Sequence, residues 1–251
     1  MLELSEGSFS YEFYNTLIRS LKTNDYSFIF FTESTSSKHV YLRHDVDIDI
    51  FSCMDLCKIE NENGVKSTWF LQPDNDLYNM LSSNVIKTAE YLVLNGGEIG
   101  LHINAGLYHS VSEMSFAIEE IYTCYCKYLP LSRVISFHRP GVFLQDFNIK
   151  IPGMVNVYED PFFSQIAYVS DSNRRRFWEE PLLNDAVLNA SSICLLTHPI
   201  WWKKSELSDH ETIDYVKCKA VSHLAYVSLK NNIKRYSMIS ERVSEGAQFN
   251  E

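Results

Sequence analysis

Two spacings of apolar residues alternate along this chain. Apolar positions three to four residues apart predict amphipathic helices, and such segments lie at 11–22, 50–63, 112–128 and 208–240, with a further helix that ends near 94. Short apolar runs between them predict strands, which we place at 28–31, 40–43, 67–71, 98–102, 134–137, 155–158, 168–170 and 193–196. Gly64 and the Asn-Gly-Gly sequence at 95–97 end two of the helices.

The alternation of strands and helices predicts an α/β fold with a parallel sheet. The number of predicted strands favours a (β/α) barrel over an open sheet. Because the sequence contains no internal repeat and no linker rich in proline and glycine, we expect a single domain over 1–251.

Composition and charge narrow the possible functions. Of the 251 residues, 45% are hydrophobic, and 22 basic against 32 acidic residues give a net charge of −10, which argues against a nucleic acid partner. No apolar run approaches the roughly 20 residues that span a bilayer, and residues 1–6 lack the basic and apolar regions of a signal peptide. We therefore expect a cytoplasmic protein with no transmembrane segment, and its six cysteines are expected to be free buried thiols.

Polar side chains follow the predicted strands at the end where parallel strands converge. Asp45 and Asp47 are two residues apart, so an extended backbone points both to the same side. A metal ligand beside a base would explain this pair, and so would an Asp-rich turn that caps a helix. Later strands are followed in the same way by His102, His138, Asp171 and His198. Oxygen and imidazole ligands that converge at one rim are typical of metal-assisted hydrolysis.

Five of these segments follow the order of a known family. They are Arg-His-Asp-Val-Asp at 43–47, Glu-Ile-Gly-Leu-His at 98–102, Ser-Phe-His-Arg-Pro at 136–140, Tyr-Val-Ser-Asp-Ser at 168–172 and Leu-Leu-Thr-His-Pro at 195–199. Together they resemble the polysaccharide deacetylase superfamily, the NodB-like proteins of carbohydrate esterase family four. More narrowly, they resemble its intracellular branch associated with O-antigen and capsule biosynthesis. The resemblance covers a motif-bearing core at 40–202 and implies a distorted (β/α) barrel.

The resemblance also implies a chemistry. It implies a divalent metal, commonly zinc, and hydrolysis of an N-acetyl or N-formyl group on an amino sugar. Carried over by position, the catalytic residues are Asp45 as base, His198 as acid, Arg139 holding the base in place, and Asp171 in the fourth motif. Water activated by the metal would attack the amide carbonyl, Asp45 would take its proton, and His198 would protonate the leaving amine.

One metal ligand of the family pattern is missing. A second histidine usually follows the first by four residues, but position 106 holds Gly106. His138 ends a neighbouring strand and is the expected replacement, with His109 and Asn104 as alternatives. Asn104 is the poorer ligand, because a neutral amide binds cations less well than a carboxylate does. We therefore expect the metal to be bound by Asp47, His102 and His138.

Several alternatives stay open at this stage. The substrate is expected to be a small molecule or glycan that carries an amino sugar, free or linked to a nucleotide or lipid. A lipid-linked form implies peripheral membrane contact.

The basic run at 174–176 suits either a phosphate or a solvated loop. His44 either orients Asp45 or caps the core, and the tryptophans at 201–202 either stack on a sugar or pack inside. Gly106 and Asn104 also support a second hypothesis, a non-catalytic glycan-binding or assembly protein with a degraded metal site. A third hypothesis is metal-dependent hydrolysis of another bond, such as a phosphoester.

Overall fold

The computed structural model describes residues 7–144, 146–221, 225–226 and 229. Its strands are β1 (Ser27–Phe28), β2 (His39–Val46), β3 (Ser67–Leu71), β4 (Gly97–Asn104), β5 (Leu131–His138), β6 (Val155–Asn156), β7 (Ala167–Ser170) and β8 (Ile193–Thr197). Its helices are α1 (Tyr11–Thr23), α2 (Cys53–Glu62), α3 (Ser83–Leu94), α4 (Val111–Tyr125), α5 (Pro140–Phe143), α6 (Pro181–Leu188) and α7 (Asp209–Val216). The predicted strands are all present with shifted ends, whereas α5 and α6 were not predicted.

The strands form one parallel sheet in the order β6-β5-β4-β3-β2-β8-β7, with β1 paired to β2. Neighbouring strands lie about 4.8 Å apart, so β2 and β5 would be about 14 Å apart in a flat sheet. The Ser136 hydroxyl on β5 nevertheless lies 3.4 Å from the Asp45 carboxylate on β2, which requires the sheet to curl. The predicted α/β fold of distorted-barrel type is confirmed as a curled half-barrel, and among the described residues no pairing joins β6 to β7.

The apolar pattern explains which strands lie at the centre of the sheet. Every residue of β3 and of β8 is buried, as expected for parallel strands covered on both faces. Strand β4 approaches its neighbours closely at Gly100, where a Cβ atom would lie 2.6 Å from the Phe70 ring and 2.7 Å from the Val134 carbonyl oxygen. A glycine is therefore required two residues before His102.

The chain divides into two compact units, Met1–Glu206 and Leu207–Glu251. The first contains all five motifs, and the single domain expected over 1–251 stays a prediction. In the second unit, the predicted helix at 208–240 begins as α7, whose N-cap residue Ser208 forms a capping box, and continues as a π-helical turn over Lys217–Val221. Most of the predicted helix beyond that turn lies outside the described residues. No helix among the described residues is long and apolar enough to cross a membrane.

All six cysteines are free, as predicted. Cys53, Cys57 and Cys194 are buried, but the expectation that all six are buried is wrong, because Cys124, Cys126 and Cys218 are exposed. The two exposed cysteines near the end of α4 lie outside its buried face, which is formed by Met114 and Ile118.

Candidate metal centre

Strand β2 carries a column of charged side chains into the concave side of the sheet. Arg43 and Asp45 lie within the strand, and Asp47 follows its last residue, Val46. The three alternate with residues of the opposite face, so they point to one side, as the sequence predicts. Arg43 and Asp45 are buried, whereas the Asp47 side chain is 22% exposed. The column therefore leads from the interior of the fold to an accessible rim.

Three predicted ligand atoms lie together at the top of this column. Asp47 Oδ1 lies 3.1 Å from His102 Nε2 and 3.4 Å from His138 Nδ1, and the two histidine nitrogens are 3.3 Å apart. A tetrahedral zinc ion with bonds of about 2.0–2.1 Å separates its ligand atoms by about 3.3 Å. One carboxylate oxygen and two imidazole nitrogens therefore have the identities and the spacing that would suit a divalent ion such as zinc.

The hydrogen bonding around Asp47 also fits a cation. Asp47 Oδ1 is buried and has no well-aligned hydrogen bond among the described residues, although His102 Nε2 and His138 Nδ1 lie 3.1 and 3.4 Å away. Burial alone would raise the pKa of Asp47, but His102 and His138 beside it lower the pKa well below its usual range. Asp47 is therefore an ionised carboxylate with an unsatisfied oxygen, which is the state in which a carboxylate binds a metal ion.

His198 reaches the same centre from β8. Its Nε2 lies 3.7 Å from Asp47 Oδ2, and its Nδ1 lies 2.6 Å from the buried Asp171 carboxylate. The second oxygen of Asp171 accepts hydrogen bonds from the His198 backbone N–H and from the Trp202 indole. Burial alone would lower the pKa of His198, but Asp171 and Asp47 raise it to about 9. His198 is therefore a protonated imidazole that can donate a proton at the rim.

The structure places Arg43 beside Asp45, where the resemblance led us to expect Arg139. Asp45 accepts two hydrogen bonds from Arg43, 2.9 Å from Nε to Oδ1 and 2.7 Å from Nη2 to Oδ2. Arg139 is exposed, its backbone is left-handed at φ 47°, and no hydrogen bond or ion pair joins it to Asp45. Burial alone would raise the pKa of Asp45, but the Arg43 guanidinium, followed by His102, lowers it. Arg43 lies two residues before Asp45 and hence on the same face, which was the missed signal in the sequence.

The two alternative ligands lie outside the centre. Asn104 donates to the Asp74 carboxylate and accepts from the Gly106 backbone N–H, so both ends of its amide are occupied. His109 is exposed, and its backbone N–H is bonded to Glu113. Among these candidates, His138 is the one whose ring nitrogen lies within ligand distance of Asp47 and His102. The role of each residue as a ligand stays a prediction.

The remaining candidates have structural contacts. Arg174 and Arg176 form ion pairs with Glu206, and Arg175 pairs with Glu180, so the basic run is engaged within the chain. His44 is fully buried on the other face of β2, where it bonds Glu60 and Thr197 and stacks on Trp69. Trp202 is fully buried and Trp201 partly buried, which supports packing for Trp202.

Neither a protein-family model nor a curated protein matches this sequence. Solved structures similar to the chain include a carbohydrate esterase family 4 pseudoenzyme from Bacillus anthracis, at 16% identity and a TM-score of 0.42, with 76% of this chain and 63% of that chain covered. They also include a family 4 carbohydrate esterase from the same organism, at 14% identity and a TM-score of 0.41, covering 83% and 84%. A third is the chitin deacetylase of Colletotrichum lindemuthianum, at 14% identity and a TM-score of 0.39, covering 72% and 82%.

The similar solved structures are thus family 4 carbohydrate esterases and deacetylases, and one of them is a pseudoenzyme. The chain spans 63% of the length of that pseudoenzyme. Likenesses at this identity and these TM-scores assign neither an activity nor a substrate to the chain.

Proposed function

We propose that this chain is a metal-dependent hydrolase that removes an N-acetyl or N-formyl group from an amino sugar. The observation that carries the proposal is the spacing of Asp47 Oδ1, His102 Nε2 and His138 Nδ1, each 3.1–3.4 Å from the other two. Zinc is the proposed ion because it takes mixed oxygen and nitrogen ligands in tetrahedral geometry and leaves a position open in catalytic sites. The choice of an amino sugar rests on the resemblance of the five sequence motifs.

The residues around the centre supply the proton transfers that amide hydrolysis needs. A divalent ion bound there supplies positive charge that polarises the substrate carbonyl and acidifies water. Asp45, an ionised carboxylate held by Arg43 and 3.7 Å from His102 Nε2, is the proposed acceptor of the water proton. His198, protonated at neutral pH, is the proposed donor to the amine nitrogen as the C–N bond breaks. The products are a carboxylate and a free amino sugar, so one water molecule is consumed in each turnover.

The biological context is a finer proposal. We place the reaction in the assembly of surface polysaccharides such as O-antigen or capsule, in the cytoplasm, on a sugar that is free or linked to a nucleotide or lipid. Only the resemblance of the motifs to the intracellular branch supports this context. Because the resemblance leaves the acyl group open, the assay substrates must include both N-acetyl and N-formyl amino sugars.

Metal content and product release test the proposal together. The purified protein should bind about one zinc ion, and Asp47→Ala and His138→Ala should abolish tight binding. His109→Ala is the matched control, because it removes an exposed imidazole that the structure places outside the centre. With zinc or cobalt added, a panel of N-acyl amino sugars should release amine together with acetate or formate.

The opposite result has a defined meaning. If the protein binds no metal and releases no amine, the fold-retaining glycan-binding role replaces the enzymatic one. Phosphate release from phosphorylated sugars, without amine, would identify a different hydrolase.

A further inference from the structure

Ser136 connects the candidate base to a candidate metal ligand. Its side chain is fully buried on β5. Its Oγ lies 2.5 Å from His102 Nδ1 and 3.4 Å from Asp45 Oδ1. Because Ser136 pairs with His102 in the register of β5 and β4, the backbone itself holds the hydroxyl opposite the imidazole.

Ser136 contacts the ring nitrogen of His102 that points away from Asp47. A His102 that binds a cation through Nε2 carries its proton on Nδ1, and the Ser136 oxygen 2.5 Å away is placed to accept that proton. The Ser136 hydroxyl proton can then point towards Asp45 Oδ1, which is 3.4 Å away.

The opposite ring nitrogen of His102 faces the other proposed ligands. His102 Nε2 lies 3.1 Å from Asp47 Oδ1 and 3.3 Å from His138 Nδ1. The contact of Ser136 with Nδ1 therefore leaves Nε2 as the nitrogen directed at the centre.

We propose that Ser136 is a positioning residue that selects the metal-binding tautomer of His102 and fixes the orientation of its ring. The inference rests on the proposed metal site, and it adds that the site and Asp45 belong to one hydrogen-bonded unit. Removing a hydrogen-bond partner of this kind from a ligating histidine commonly lowers metal affinity by about 10- to 100-fold. No bond is made or broken by Ser136, so its effect is on the affinity and geometry of the site.

Metal affinity measured without any turnover tests this directly. Cobalt(II) is the probe, because its visible absorption reports both binding and coordination geometry, and zinc affinity follows by competition. We expect Ser136→Ala to weaken binding of either ion by about 10- to 100-fold. Ser136→Thr, which keeps the hydroxyl, should restore most of the affinity.

Ser67→Ala is the matched control. Ser67 is another buried strand serine, on β3, and its hydroxyl bonds Glu60 and the Trp69 indole, away from the metal centre. It should destabilise the fold without changing the Kd for cobalt. Circular dichroism and urea unfolding of each variant separate loss of fold from loss of affinity.

The tautomer itself provides a second readout that stays valid even if a variant folds poorly. Nitrogen-15 NMR of the zinc-loaded wild type should show His102 protonated at Nδ1. A zinc-loaded wild type with His102 protonated on Nε2, or a folded Ser136→Ala variant that binds cobalt within twofold of the wild type, overturns the proposal. A protein that binds cobalt with the expected dependence on Ser136 but releases no amine would refute the proposed activity and leave this inference standing.

Discussion

Removing the Arg43 side chain tests whether Arg43 is the residue that holds the Asp45 carboxylate. Arg43 is fully buried, and it donates two charge-assisted hydrogen bonds to Asp45 and a third, 2.9 Å long, to the Tyr158 hydroxyl. The substitution Arg43→Met keeps much of the volume and removes all three donors. Asp45, which is 3% exposed, then becomes a buried carboxylate without its counter-ion.

The expected cost follows from that burial. Removing one partner of a buried ion pair costs about 3–5 kcal/mol, because the remaining charge is uncompensated. Small proteins are stable by about 5–15 kcal/mol, so the loss would be a large fraction of the total. Arg139→Met is the matched control: it removes the same group from an exposed side chain, keeps the Cβ atom at the left-handed backbone position, and should change stability by no more than about 0.5 kcal/mol.

The assay is urea unfolding of the metal-free protein, followed by tryptophan fluorescence. Adding Asp45→Asn to Arg43→Met neutralises the stranded carboxylate, so the double variant should be more stable than Arg43→Met alone. A loss below 1 kcal/mol for Arg43→Met, or an equal loss for Arg139→Met, would refute the assignment of Arg43 as the partner of Asp45.

Three further outcomes are expected. Tyr78→Phe removes the hydroxyl that donates to the Val46 carbonyl and accepts from the Gln72 N–H. The free energy of unfolding in urea should fall by about 1–3 kcal/mol. An unchanged free energy of unfolding would contradict these two hydrogen bonds. Gly100→Ala should cost about 1–3 kcal/mol by overpacking against Phe70 and the Val134 carbonyl, and it should also weaken cobalt binding, because β5 must shift relative to His102. Asp171→Asn should lower the pKa of His198 in the metal-free protein from about 9 towards about 6.5, because a neutral amide stabilises the imidazolium less than a carboxylate does. NMR titration of His198 measures this pKa. An unchanged value would exclude Asp171 as the cause of the raised pKa.

The sequence predicts the strands well because each is a short apolar run with polar residues at its end. Closure of the sheet was harder to predict. The predicted strand at 155–158 stops at Asn156, whose amide donates to the carbonyls of Phe147 and Ile149 and whose Oδ1 accepts from the Tyr158 N–H. The Tyr158 N–H is thereby bonded to a side chain instead of a neighbouring strand, and β6 has two residues.

Pairing of charges depends on the three-dimensional path of the chain, which apolar spacing does not reveal. The basic run at 174–176 was a candidate phosphate site, yet Arg174 and Arg176 share Glu206, which lies some thirty positions further along the sequence. The convergence of Asp47, His102 and His138, by contrast, follows from a local rule, since each lies at or near the carboxyl end of a parallel strand. The sequence therefore predicts which residues meet at the rim better than it predicts which charges neutralise one another.

Two positions differ from the pattern of the family that the five motifs resemble. Gly106 lies in an exposed turn after β4 and has no side chain, whereas His138 at the end of β5 lies at ligand distance from Asp47 and His102. The guanidinium that holds Asp45 comes from Arg43, two residues earlier on Asp45's own strand. His102 and His138 lie within strands and Asp47 directly after one, and the arginine that holds Asp45 is also part of a strand. Side chains on strands keep their positions better than side chains on loops, so we expect the proposed site to be more rigid than one built on the turn.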